Sequence, residues 1–194
     1  MKFKINSRIA GLIVSAMMLA GGKAHAAELV VNGGFETGDL AGWNLQSVNF
    51  TGISNESSNV SSGSYGLYAG QVGSNAILSQ NINTVAGANY QFSFDEKNFS
   101  GGGKNNFQVF WDGKLLMDLY NAPANAYTNY LFNVVATTKS TEIKFGLRHD
   151  PYMFALDNVS VNAHNPSAVP IPGAIWLFGS ASAAGLLARR RKMA

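Results

Sequence analysis

The sequence predicts an all-β chain folded as a sandwich or jelly roll. Three observations carry this. Short segments of alternating polarity recur through the middle of the chain, Gly, Asn and Ser clusters separate them, and no stretch between residues 27 and 163 holds a helical period. Regular short strands with such turns are the mark of antiparallel sheets packed face to face.

The elements follow in order. Tyr90, Phe92 and Phe94 alternate with Gln91 and Ser93. The segment FQVFW, residues 107–111, runs into Asp112-Gly113, a strong hairpin signal after an alternating run. KLLMDLY, residues 114–120, is then the return strand. Tyr130, Phe132 and Val134 share one face of the next segment, and Ile143, Phe145 and Leu147 share one face of the one after it. FALDNVSVN, residues 154–162, closes the series, with Leu156 on one face and Asp157 and Val159 on the other. The polar SNESSNVSSGSYG and the glycine-rich FSGGGKNN read as exposed loops. No helix follows those glycines, so they do not form a phosphate-binding loop.

The basic composition is misleading. The chain has 14 Lys and Arg against 11 Asp and Glu, for a formal net charge of +3. Four of the basic residues lie at positions 2–23 and four at 189–192. The middle keeps six basic residues and all 11 acidic ones, a net charge of −5. A nucleic-acid partner is excluded on that distribution. There is no cysteine, so the fold rests on its core, with or without a metal.

Residues 1–26 read as a secretory signal peptide. MKFKINSR is a basic start, an apolar stretch too short for a membrane span follows, and Ala-His-Ala offers small residues for cleavage after Ala26. A β domain over 27–163 and a polar linker over 164–168 follow. In the tail, 169–194, Pro170 and Pro172 lead into an uncharged run over 171–188, about 27 Å long as a helix and just enough to span a bilayer core. Arg189, Arg190, Arg191 and Lys192 then stay on the cytoplasmic side.

Two resemblances add to this reading. The order Val169–Pro172, Trp176–Ser180 and Arg189–Lys192 resembles the PEP-CTERM sorting signals of Gram-negative bacteria, with Ile171 where the motif's glutamate stands. That implies export across the inner membrane, transient anchoring by the C-terminal helix, and processing by an exosortase. The destination implied is the cell surface or an exopolysaccharide-containing matrix. Within the domain, LVVNGGFETGDLAGW, SSGSYGLYAG and FALDNVSV occur in that order. Together they resemble the galactose-binding-like jelly rolls that include many carbohydrate-binding modules. The resemblance implies a structural Ca²⁺ held by Glu36 and Asp157 with a carbonyl from Gly34, since calcium prefers hard oxygen ligands.

Sugar sites combine aromatic platforms with amides and carboxylates. The candidate platforms are Trp111, Tyr120, Tyr127 and Tyr152, of which Trp111 shares a strand face with Phe107 and Val109 and competes for the core; Trp43 reads as core. After signal removal only His149 and His164 remain, and no nucleophile elbow, zinc motif or phosphate loop is present. Asp95 and Glu96 are adjacent and face opposite ways, so they do not form a glycosidase pair. The expectation is a non-catalytic glycan-binding module, with the cell's own exopolysaccharide as its candidate ligand; the alternative is a structural matrix protein without sugar affinity.

Overall fold

The computed structural model describes residues 27–46 and 49–164. The signal segment, the tail with its 171–188 span, and the linker beyond His164 lie outside them. Among the described residues no helix is long and apolar enough to cross a membrane.

Among the described residues, ten strands form two antiparallel sheets. They are β1 (Asn44–Gln46), β2 (Thr51–Ser54), β3 (Gly66–Ala69), β4 (Ala76–Asn83), β5 (Asn89–Asn98), β6 (Lys104–Trp111), β7 (Lys114–Tyr120), β8 (Asn125–Val135), β9 (Ser140–Asp150) and β10 (Phe154–Ala163). Sheet I has the order β1-β4-β9-β6-β7 and sheet II the order β2-β3-β10-β5-β8. The expected all-β sandwich is what forms. The Asp112-Gly113 hairpin is also present, with φ of 50° and 77° at its two turn residues, the left-handed pair that a two-residue β-hairpin requires.

The core lies between the sheets. Phe92, Phe94, Phe107, Phe145 and Phe154 are fully buried. Their rings meet largely edge-on: Phe94 and Phe145 at 5.2 Å and 90°, Phe107 and Phe154 at 5.3 Å and 72°. Such pairs add about 0.5–1.5 kcal/mol each beyond the burial of their area. Trp43 is buried beside Phe35, as expected for a core residue.

Trp111 belongs to the core as well. It is 4% exposed, its ring packs against Tyr90 and Phe92, and its indole N–H donates to the carbonyl of Val135 at 2.9 Å. It therefore has no face to offer a sugar, and the competition noted for its strand face is resolved toward the core.

Three bulges reset the alternation, one of them in β8 between the partners of Glu96 and Asn98. In β10 the register against β5 shifts between Asp157 and Ser160, at Asn158 with φ 51°. Leu156 and Val159 are thus both buried, instead of facing opposite ways as strict alternation implied. In β7 the register against β6 shifts between Val109 and Phe110. Counting back from the hairpin without that extra residue would place Asp118 and Tyr120 on the inner face. With it, Asp118 stands opposite Gln108 and Tyr120 opposite Asn106, on the outer face.

Four segments give weak sequence signals and still form strands: β1, β2, β3 and β4. Residues 54–65, expected to be an exposed loop, contain a short 3-10 turn at Ser57–Asn59 with Asn59 buried. The side chains that hold this segment come from elsewhere in the chain.

Candidate functional site

The three opening, middle and closing sequence pieces meet at one junction. Val159 N donates to Gly33 O, and a side chain at Gly33 would overlap the Val159 carbonyl. Phe35 then enters the core, and Glu36 turns to the Ser61–Tyr65 segment. Its carboxylate accepts the N–H of Ser64 at 3.0 Å and of Tyr65 at 3.1 Å. Gly63 has φ +75° and lies directly against that carboxylate, where a Cβ has no room. From the closing strand, Asp157 accepts the N–H of Ser61 at 2.8 Å and of Ser62 at 3.0 Å. Gly34 lies between the two acids, with its Cβ position 3.6 Å from Glu36 Cγ and 3.8 Å from Asp157 Oδ1.

Asp95 adds a third acid from β5, in register with Asp157. It accepts from Ser61 Oγ at 2.8 Å, Asn158 Nδ2 at 2.7 Å and Asn129 Nδ2 at 2.8 Å. Burial pushes Asp95 up, but these three bonds outweigh it and hold the carboxyl below its ordinary range. Asp157 is fully buried, and burial raises it against the opposing N–H bonds of Ser62, Ser61 and Asn158, with the Asp95 charge adding to the rise. Among the described residues no group of three or more acidic or His side chains converges closely enough to hold a metal on its own. Glu36 and Asp157 do bring hard carboxylate oxygens, the atom type calcium takes, to the junction, where the main-chain groups bonded to them are N–H donors.

The outer face of sheet I is a different surface. Gly146 in β9 has no side chain, and Asn75 reaches over it from the turn before β4. Asn75 Nδ2 donates to Asn106 Oδ1 at 3.0 Å and to Gln108 Oε1 at 2.9 Å. Asn106 Nδ2 and Gln108 Nε2 in turn donate to the two oxygens of Asp118. An amide–amide–carboxylate ladder thus crosses β6 and β7. Tyr120, 68% exposed, stands beside Asn106 at the end of the ladder. Arg148 and Asp150 pair at the same end, and Arg148 holds Asp150 below its ordinary range. Lys144 pairs with Glu142 at 3.2 Å farther along, with its ammonium 5.0 Å from the Phe110 ring centre.

The candidate aromatics do not gather in one place. Tyr120 lies on sheet I. Tyr127 lies on sheet II, half-buried, with its hydroxyl buried and unpartnered. Burial and the nearby Asp157, Asp95 and Glu96 raise the Tyr127 hydroxyl well above its ordinary value. Tyr152 is 51% exposed in the turn that carries the chain from sheet I to sheet II. The ladder residues Asn75, Asn106, Gln108 and Asp118 are absent from the sequence expectation. Asn106 and Gln108 were visible as the polar positions of an alternating strand, but Asp118 depends on the β7 bulge.

Asp95 and Glu96 do face opposite ways. Glu96 points inward with Phe92 and Phe94 and is fully buried. Its Oε2 accepts from Asn125 Nδ2 at 2.9 Å, and its Oε1 has no partner.

Comparison with known proteins identifies the fold. No protein-family model matches the chain, and no curated protein matches it. Solved structures do. A TmCBM61 module in complex with β-1,4-galactotriose superposes with a TM-score of 0.59 at 18% identity, over 72% of this chain and 100% of that one. The C-terminal family 22 carbohydrate-binding module of Clostridium thermocellum Xyn10B gives 0.52 at 13% identity, over 72% and 94%. The enzymatically active domain of bacteriophage CBA120 tailspike protein 4 gives 0.54 at 18% identity, with 21% of that longer chain covered. The domain therefore has the jelly-roll fold of carbohydrate-binding modules.

Burial of Glu96 pushes its carboxyl up to about 7, from an ordinary 4.5, against the bond from Asn125. The folded state holds this proton more tightly than the unfolded state does. Its stabilisation is complete below about pH 4.5 and is lost as pH rises to about 7. Urea unfolding of wild type and Glu96→Gln is expected to show it: the wild-type stability relative to the variant falls on the order of 3 kcal/mol across that window. A difference that stays constant with pH would refute the assignment.

Proposed function

We propose that this is an exported, non-catalytic glycan-binding module that contacts sugar with the outer face of sheet I. The observation that carries the reading is the Asn75–Asn106–Gln108–Asp118 ladder next to exposed Tyr120. Amides and a carboxylate already fixed by one another present hydroxyl-reading groups without further ordering, which limits the entropy lost on binding. Tyr120 supplies an aromatic face for a pyranose. The fold's likeness to a module whose structure holds galactotriose supports a polysaccharide ligand. The cell's own exopolysaccharide is the partner that the tail's resemblance favours.

The terminal segments complete the proposal. The signal peptide directs export across the inner membrane. The tail anchors the chain transiently, and an exosortase cleaves near Val169–Pro172, leaving the domain at the cell surface or in the matrix. Ca²⁺ bound by Glu36 and Asp157, with main-chain oxygen from Gly34, would serve a structural role at the junction.

Glycan-array and affinity-electrophoresis measurements on the full chain are expected to show binding to at least one polysaccharide. Asp118→Ala and Tyr120→Ala should each weaken it by about tenfold or more, the cost of a lost charge-assisted hydrogen bond or stacking partner. Absence of binding to every polysaccharide tested, the native matrix included, leaves the structural matrix role instead. Metal-free protein should melt at higher temperature when calcium is added, and Asp157→Asn should lose that increment. Identical melting in calcium and in chelator removes the ion from the proposal. Intact-mass analysis of protein recovered from a Gram-negative host with an exosortase should give a species beginning at Ala27 and ending near Pro172. A mature chain retaining Arg189–Lys192 would contradict the processing step.

A further inference from the structure

A second cleft lies on the other sheet, where the turns after β2, β3, β5 and β9 come together. Two adjoining hollows of about 420 and about 290 Å³ share Tyr68, Tyr152 and Met153. Phe99 lines the larger and Phe50 the smaller. Phe50 is 71% exposed and, with Tyr152 and Met153, forms an exposed apolar patch at the smaller hollow.

The larger hollow is also equipped with polar groups. The Glu56 side chain is exposed and makes no hydrogen bond or ion pair among the described residues. Ser54 Oγ accepts from Glu56 N at 3.1 Å and from Asn59 Nδ2 at 3.2 Å, so its own proton is free to be donated. Asn59 is only 6% exposed, lines the hollow, and leaves its Oδ1 without a partner. Lys97 braces the wall: its ammonium donates to Ser58 O at 2.9 Å and sits 4.2 Å from the Phe99 ring centre.

We infer that this cleft is a second, independent sugar site, taking a single neutral pyranose ring. Aromatic side chains and Met153 suit the apolar face of the ring, while the Glu56 carboxylate offers an acceptor and the Ser54 hydroxyl a donor for its hydroxyls. The two opposite charges give neither sign of small ion a net preference, which favours a neutral ligand. Lys97 already occupies the cationic position over Phe99 and opposes a second cation, and the Glu56 carboxylate opposes an anion. The combined hollow is within the size range of small-ligand sites. The inference rests on the glycan-binding reading only for its ligand class, because it uses the opposite sheet and none of the ladder residues.

The test is a site-resolved NMR titration of the full chain with galactose, glucose and xylose, and separately with choline. Saturable shifts at Ser54, Glu56, Phe99 and Met153 are expected with at least one sugar. Tyr152→Ala should abolish them and Glu56→Gln should weaken the titration by about tenfold, with the Asn106 and Gln108 signals responding as in wild type. Shifts confined to Asn106, Gln108 and Tyr120 would overturn the second site and leave the first. Shifts confined to the cleft would support the second site and count against the first. Cleft shifts with choline but with no sugar would overturn the neutral-sugar assignment, as would silence of the cleft to all three sugars.

Discussion

The fold depends on two carboxylates that hold one turn by its backbone. Residues 61–65 bring their N–H groups to Glu36 from the N-terminal segment and to Asp157 from the last strand. Both acids therefore fasten the same loop from opposite ends of the chain, across sequence separations of 28 and 96 residues. Charge-assisted bonds to main-chain N–H groups are among the stronger hydrogen bonds available to a protein. In a chain without cysteine they do what a cross-link would otherwise do, joining the beginning, middle and end of the domain. The Gly33 and Gly63 positions exist for the same purpose: one lets the chain lie against β10, the other lets the turn lie against Glu36.

Asp95 makes this junction electrostatically uneven. It stands opposite Asp157 in the strand register, and its three hydrogen bonds hold its carboxyl below the ordinary range while burial raises that of Asp157. Two like charges so placed repel, and amide and hydroxyl donors around them spread the negative charge. Glu96, one residue along, meets the opposite fate: it faces the aromatic core with one oxygen unpaired, and burial favours its proton. Neighbouring acids thus differ in ionisation because the pleat sends them to opposite faces of one strand.

The two surfaces proposed to take sugar differ in how they are built. The sheet I face is a set of polar side chains fixed by one another on regular strands, with a single exposed aromatic. The cleft on sheet II is mostly aromatic, formed by turns, and held in shape by Lys97 and by the loop that Asp157 and Glu36 fasten. Rigid strands suit a surface that reads hydroxyls along an extended chain, whereas converging turns enclose one ring. The stapled junction supports the second directly, since the Ser57–Asn59 turn precedes the segment that the carboxylates hold.

The sequence by itself determined the all-β class, the Asp112-Gly113 hairpin, and the buried faces of Phe92–Phe94 and Ile143–Leu147. Each follows from local alternation or turn chemistry. It could not place β1 to β4, whose short or mixed segments become strands only when neighbours supply their hydrogen-bond partners. It left Trp111 open between surface and core, because a strand's period says which side chains share a face but not which face is covered. Nor could it show the ladder: Asp118 and Tyr120 reach the outer face only through the extra residue in β7, and Asn75 reaches Asn106 and Gln108 only over Gly146. A bulge reverses every later side chain on its strand, and tertiary pairing alone decides where one falls.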